Sequence, residues 1–116
     1  MGKIAICSSG SSSSSLVDGR FGRCSCFMVW DPESSSYEAV SNQGQDMSHG
    51  AGTGAAQAMI NQGVKAVITS RIGPKAFSVL KSAGIEVYMG EENKTVEEVL
   101  QKYLNNELNQ INSPNN

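Results

Sequence analysis

The 116-residue chain reads as a single α/β domain built on a mixed five-stranded sheet with helices on both faces. Two observations lead there. The first half holds two β-prone runs, "CFMVWD" and "YEAVSN", around the reversal "PESSS", a pattern that predicts an antiparallel hairpin. The second half alternates strand-like with helix-like runs, which predicts parallel strands joined by a right-handed crossover.

Taken in order, "KIAIC" is a buried strand that leads into a serine tract, Ser8, Ser9 and Ser11 to Ser15. Serine and glycine bring too little apolar surface to order themselves, so this loop is expected to be mobile. The hairpin follows. After "QGQDMSHG" comes "AGTGAAQAMINQG", with Ala55, Ala58, Met59 and Gln62 at helical spacing and Gly63 where a left-handed cap belongs. This helix is expected to start near His49. "VKAVITS" is a strand, "GPKAFSVLKSAG" a helix with Pro74 in its first turn and Gly84 at its end, and "IEVYMG" the last strand. Thr95 and Glu98 form a capping box, after which Val96, Val99, Leu100, Tyr103 and Leu104 mark the apolar stripe of a third helix. The domain is expected to span residues 3–104, and residues 105–116, with the sequence "NQINSPNN" at their end, to be disordered.

Composition excludes several classes. The net charge is -2 with no block of like charges, which disfavours a broad nucleic-acid or anionic-membrane surface. No apolar run approaches the roughly 20 residues a membrane span requires, and "KIAICS" is too short for a signal peptide, so a cytoplasmic location is expected. Three cysteines, an odd number without an export signal, point to free thiols.

Ligands of open α/β sheets bind beyond the carboxyl ends of the parallel strands. Three segments fall there: the first loop with "GRFGRC", the "MSHGAGTG" lead-in to the first helix, and the "SRIGP" turn into the second. "GAGTGA" fits the dinucleotide pattern on paper, but it does not follow the first strand, and no acidic residue lies about 20 positions on. A P-loop is absent. Glycines at a helix start allow close backbone approach, and free amides there favour an anion; Gly50, Gly52, Gly54 and Gly73, with Arg20, Arg23 and Arg71, would suit a compact anionic ligand. The alternative is tight helix-on-sheet packing and solvated arginines. His49, the only histidine, and Met47 carry borderline and soft metal donors, as do Cys24 and Cys26. A single histidine at a helix start is more often a cap or a solvent-exposed residue. In a continuous strand Cys24 and Cys26 would point the same way and could chelate; if the strand begins later, they diverge. No second pair exists to close a tetrahedral zinc site. No nucleophile elbow or identifiable acid for a triad is present. Met28, Met59 and Met89 are expected to fill the core.

The segments "GRFGRCSCFMV", "MSHGAGTGAAQAMINQGVKAVITSRIGPKAFSVLKSAGIEVY" and "TVEEVLQKYL" together resemble the dinitrogenase iron-molybdenum cofactor biosynthesis family, which includes nitrogenase cofactor carriers and orange proteins. The resemblance runs from Lys3 to about Leu104. It implies a ribonuclease H-like three-layer α/β/α fold, and a non-enzymatic carrier or scaffold for an anionic iron- or molybdenum-containing sulfide cluster, molybdenum-copper sulfide included. It also implies proteins that donate or accept the cluster, and a monomer or weak homodimer. A histidine ligates the cluster in some members, and His49 is the matching position. Orange proteins hold theirs largely without cysteine, which leaves Cys24 and Cys26 open. Nuclease chemistry is not implied, because "KIAICSSG" lacks the carboxylate that would hold a divalent metal. Two rivals stand beside the carrier: an interaction or regulatory module without a cluster, and an enzyme acting on a small phosphorylated substrate, for which no acid-base pair is visible.

Overall fold

The computed structural model describes residues 2–42 and 51–115. Its frame follows from alternation in the first strand, β1 (Lys3–Ser8), where Ile4 and Ile6 face one way and Ala5 and Cys7 the other. Both faces are buried, so β1 must lie in the middle of a sheet covered on two sides. It does. The strands β2 (Cys26–Asp31) and β3 (Ser36–Ser41) form the expected hairpin, turned at Ser35 with φ 53°, and β4 (Val64–Thr69) and β5 (Glu86–Met89) extend the sheet on the other side. The order is β3-β2-β1-β4-β5, antiparallel in the hairpin half and parallel across β1, β4 and β5.

Two helices, α1 (Ala51–Gln62) and α2 (Pro74–Ser82), cover one face; α3 (Val96–Leu104) covers the other. The first core joins Ala56, Met59, Leu80 and Ile72 to Ala5, Phe27 and Val67; the second joins Val96, Val99 and Leu100 to Ile4, Ile6, Met28 and Ile68. This is the mixed five-stranded, three-layer α/β/α arrangement that the ribonuclease H-like resemblance implies. Gly63 (φ 73°) and Gly84 (φ 77°) take the left-handed geometry that ends α1 and α2, and the Ile85 amide closes the second cap on the Leu80 carbonyl at 2.9 Å. Met28 and Met59 are buried, and Met89 packs against the core.

Two expectations need correction. The serine tract is not a loose loop: the Ser9 amide donates to the Leu16 carbonyl at 3.0 Å, and the Ser13 and Ser15 carbonyls accept from the Glu97 and Val96 amides, each at 2.9 Å. Backbone groups do this work, so the tract's lack of apolar surface does not matter. Within residues 105–115, expected to be disordered, 109–111 are hydrogen-bonded along β5, with the Met89 amide to the Asn109 carbonyl and the Ile111 amide to the Val87 carbonyl, both at 2.8 Å. One buried side chain, Ile111, and the unpaired edge of β5 suffice to hold them. The expected start of α1 near His49 lies outside the described residues.

Candidate functional site

Because β1, β3, β4 and β5 run the same way, their carboxyl ends and the first turns of all three helices meet at one pole. The first loop and the turn after β4 build its surface. They pair directly: the Arg71 amide donates to the Gly19 carbonyl at 2.6 Å and the Phe21 amide to the Arg71 carbonyl at 3.0 Å, a parallel bridge that sets Arg20 beside Arg71. Phe21 is the anchor, buried against Phe27 with ring centres 5.6 Å apart. Asn42, buried after β3, staples the same loop by donating its carboxamide to the Gly22 and Cys24 carbonyls, both at 3.0 Å. "GRFGRC" is therefore a tight loop, fixed from beneath, that carries an exposed arginine.

A shallow groove of about 510 Å³ opens beside it, lined by Ser9, Leu16, Asp18, Gly19, Arg20, Arg71 and Glu92 among others. Its charges are mixed. Glu92 lies 3.9 Å from Arg71, with both side chains at least half exposed, and leans across Gly19, where a Cβ would collide with its carboxylate. An exposed pair of this kind holds weakly and yields to a stronger anion. Asp18 accepts from the Arg20 amide at 3.1 Å in a local turn. These two acids were not singled out from the sequence, since nothing in their spacing shows that they share a wall with the arginines.

The helix starts differ. The first turn of α2 has Gly73 at its cap with no side-chain hydrogen bond, Pro74 next, and no acidic residue. That leaves the positive end of the α2 dipole unanswered, two residues after Arg71. The α3 start is closed by its capping box, Glu98 amide to Thr95 Oγ1 at 3.2 Å and Thr95 amide to Glu98 Oε1 at 2.9 Å, together with the Ser13 and Ser15 carbonyls. Of the glycines, Gly52 serves packing: a Cβ there would lie 3.3 Å from that of Ala76 on α2. Gly54 and Gly73 have open space around them. Arg23 is half-buried, with its amide bonded to the Arg20 carbonyl at 3.1 Å. His49, Met47 and Gly50 lie outside the described residues.

The paired-thiol grip does not form. The strand begins at Cys26, so Cys24 falls before its alternation, and the two thiols enter opposite layers: Cys24 the α1/α2 core, Cys26 the α3 core. Cys26 Sγ donates to the Gly10 carbonyl at 2.8 Å. All three cysteines are free and buried. Burial, then the adjoining Cys24, holds the Cys7 thiol well above its ordinary value; burial, then Cys24, also lifts Cys26. Both stay protonated at neutral pH and are poor first contacts for a metal. No group of three or more metal-ligating side chains occurs among the described residues.

An anion-tolerant pole with backbone amides and arginines, on a three-layer fold, narrows the possible families, and residues 2–106 match one of them, described as dinitrogenase iron-molybdenum cofactor. The chain belongs to that family. Membership associates it with an iron-molybdenum cofactor or a related cluster and with partners concerned with that cofactor. An uncharacterized protein of Methanocaldococcus jannaschii is 37% identical over 91 residues, 76% of each chain. Among solved structures, the apo form of the orange protein from Desulfovibrio gigas is 38% identical, with a TM-score of 0.94, covering 100% of this chain and 98% of that one. A Thermotoga protein described as NifB-like and placed in the DUF35 family is 35% identical, with a TM-score of 0.88 over 100% and 98%. No helix among the described residues is long and apolar enough to cross a membrane.

Proposed function

We propose that the protein is a non-enzymatic carrier or scaffold that takes an anionic iron- or molybdenum-containing sulfide cluster as cargo and passes it between donor and acceptor proteins. The observation that supports this most is the pairing of Arg20 with Arg71 on the wall of a shallow groove, with the uncapped start of α2 two residues after Arg71. Cationic side chains and a helix dipole offset the charge of a sulfide cluster, and a shallow seat permits hand-over where a closed ligand shell would not. The likeness to the orange protein supports the same reading. His49, with Met47 beside it, supplies the soft and borderline donors; the cysteines, buried on two layers, do not. Glu92 occupies Arg71 until the cargo displaces it. An interaction module without a cluster is favoured by one feature, Leu16, half exposed on the groove wall.

Anaerobic titration with iron-sulfur and thiomolybdate-copper clusters, followed by visible absorbance and amide NMR, tests the reading. A saturable chromophore is expected, with shifts at residues 19–26, 47–54 and 71–75, weakening with salt. The His49→Ala variant should bind about tenfold more weakly, about 1.4 kcal/mol. Absence of a chromophore and of localised shifts would favour the interaction module, and unchanged affinity in His49→Ala would remove the named ligand.

A further inference from the structure

The turn that carries Arg71 leaves the sheet after Thr69, and its backbone groups must find partners outside the ladder. One side is met by the first loop, through Gly19 and Phe21. The other side is met by a single residue 43 to 45 positions away. Asn115 Oδ1 accepts from the Ile72 amide at 2.8 Å, its Nδ2 donates to the Ser70 carbonyl at 3.0 Å, and its own amide donates to the Ile72 carbonyl at 3.1 Å. A primary carboxamide carries its acceptor and its donor on two separate atoms, so one short side chain can meet the Ile72 amide and the Ser70 carbonyl together.

The path to this contact is built into the fold. Leu108 packs with the α3 core, residues 109–111 pair antiparallel with β5, and Ile111 enters the α1/α2 core beside Phe77 and Val87. The segment thus crosses the sheet edge from one layer to the other before it reaches the turn. Ile72 is fully buried, so the turn has an apolar anchor below and Asn115 clasping its backbone on the side away from Gly19.

We infer that Asn115 is a positioning residue for the anion-facing pole: by clasping Ser70 to Ile72 it fixes where Arg71 and the start of α2 stand. The inference rests on the cargo reading above, since it assigns a purpose to the turn's placement. A turn held before the ligand arrives spends no binding energy on being ordered.

The experiment uses the full chain labelled with ¹⁵N, as wild type, Asn115→Ala, Asn115→Asp and, as a control in the same segment, Asn112→Ala. Amide exchange is read at Ser70 to Gly73, and tetrathiomolybdate is the titrated probe. In Asn115→Ala the Ile72 amide should exchange about fivefold faster, the value of one modest hydrogen bond, and the probe should bind about threefold more weakly. Asn115→Asp keeps the acceptor and should keep Ile72 protected, which mere loosening of the segment would not predict. Asn112→Ala should change neither. Unchanged Ile72 exchange in Asn115→Ala would overturn the clasp, and faster exchange with unchanged probe affinity would overturn its positioning role. A wild-type chain that takes up no probe would instead overturn the cargo reading on which it rests.

Discussion

The helices α2 and α3 are both nine residues long and start at the same pole, yet their first turns are finished in opposite ways. On α3 two side chains cap each other, two serine carbonyls take the Val96 and Glu97 amides, and Glu97 and Glu98 answer the dipole with negative charge. On α2 a glycine, a proline and no acid leave the positive end open, and Arg71 adds to it. A helix start satisfied from within has nothing left for a ligand, while one left unsatisfied at a surface invites an anion. Ser13 and Ser15 of the serine tract therefore belong to the closed end, while Ser9 lines the candidate seat.

The contrast can be broken most forcefully at Gly90, behind α3. A Cβ there would lie 2.6 Å from Ile68 Cγ2 and 3.6 Å from Val99 Cγ1, both buried. Gly90→Ala should cost about 1–3 kcal/mol in urea unfolding, as other overpacked cores do. It should leave cluster affinity alone, because it lies under the closed helix; an unchanged unfolding midpoint would mean that α3 is seated differently. A matched pair of cap variants comes next. Thr95→Ala removes the α3 cap and should cost about 1 kcal/mol without altering cluster binding. Gly73→Ser adds to α2 what α3 already has, since Gly73 has the extended geometry of a cap (φ -78°, ψ 168°) and open space for a side chain. It should raise stability by a few tenths of a kcal/mol and weaken cluster uptake, as its hydroxyl takes an amide the cargo would use. Equal binding in both variants would show that the open end of α2 plays no part.

Much of this contrast was legible in the sequence. The Thr95 and Glu98 box, Pro74 at the α2 start, and Gly63 and Gly84 at helix ends are local signals, set by residues within one turn of each other, and each stands where its spacing put it. The hairpin and the crossover followed from runs with the right period. What was not legible depends on contacts far apart in the chain. The serine tract takes its order from α3, some 80 residues on, through carbonyls that every residue possesses. Ile111 and Asn115 look like a polar tail until the open edge of β5 and the 70–72 turn are in place. Cys24 and Cys26 could be read either way because the outcome turned on a single residue, the one at which β2 begins. The arginines were legible one by one, but their pairing across two loops, and the acids that share their groove, were not.

The smallest expected effect is also the one that reports most directly on the closed end. The Glu98 carboxyl is held below its ordinary value of 4.5, first by the backbone amide of Thr95 and then by the Thr95 side chain, while Lys94 and Lys102 contribute more weakly. A carboxyl whose value is lower in the folded chain than in the unfolded one favours folding when ionised. Its contribution is complete above pH 4.5 and is lost as pH falls through the depressed value. Glu98→Gln keeps a side-chain acceptor for the Thr95 amide but removes the charge facing the α3 dipole. Urea unfolding of wild type and variant should therefore differ by a small, constant amount at neutral pH, and the two curves should converge as the pH is lowered well below 4.5. A gap that persisted unchanged in acid would mean that the Glu98 charge does not act at this cap. The closed character of α3 would then rest on Thr95 and the serine carbonyls alone.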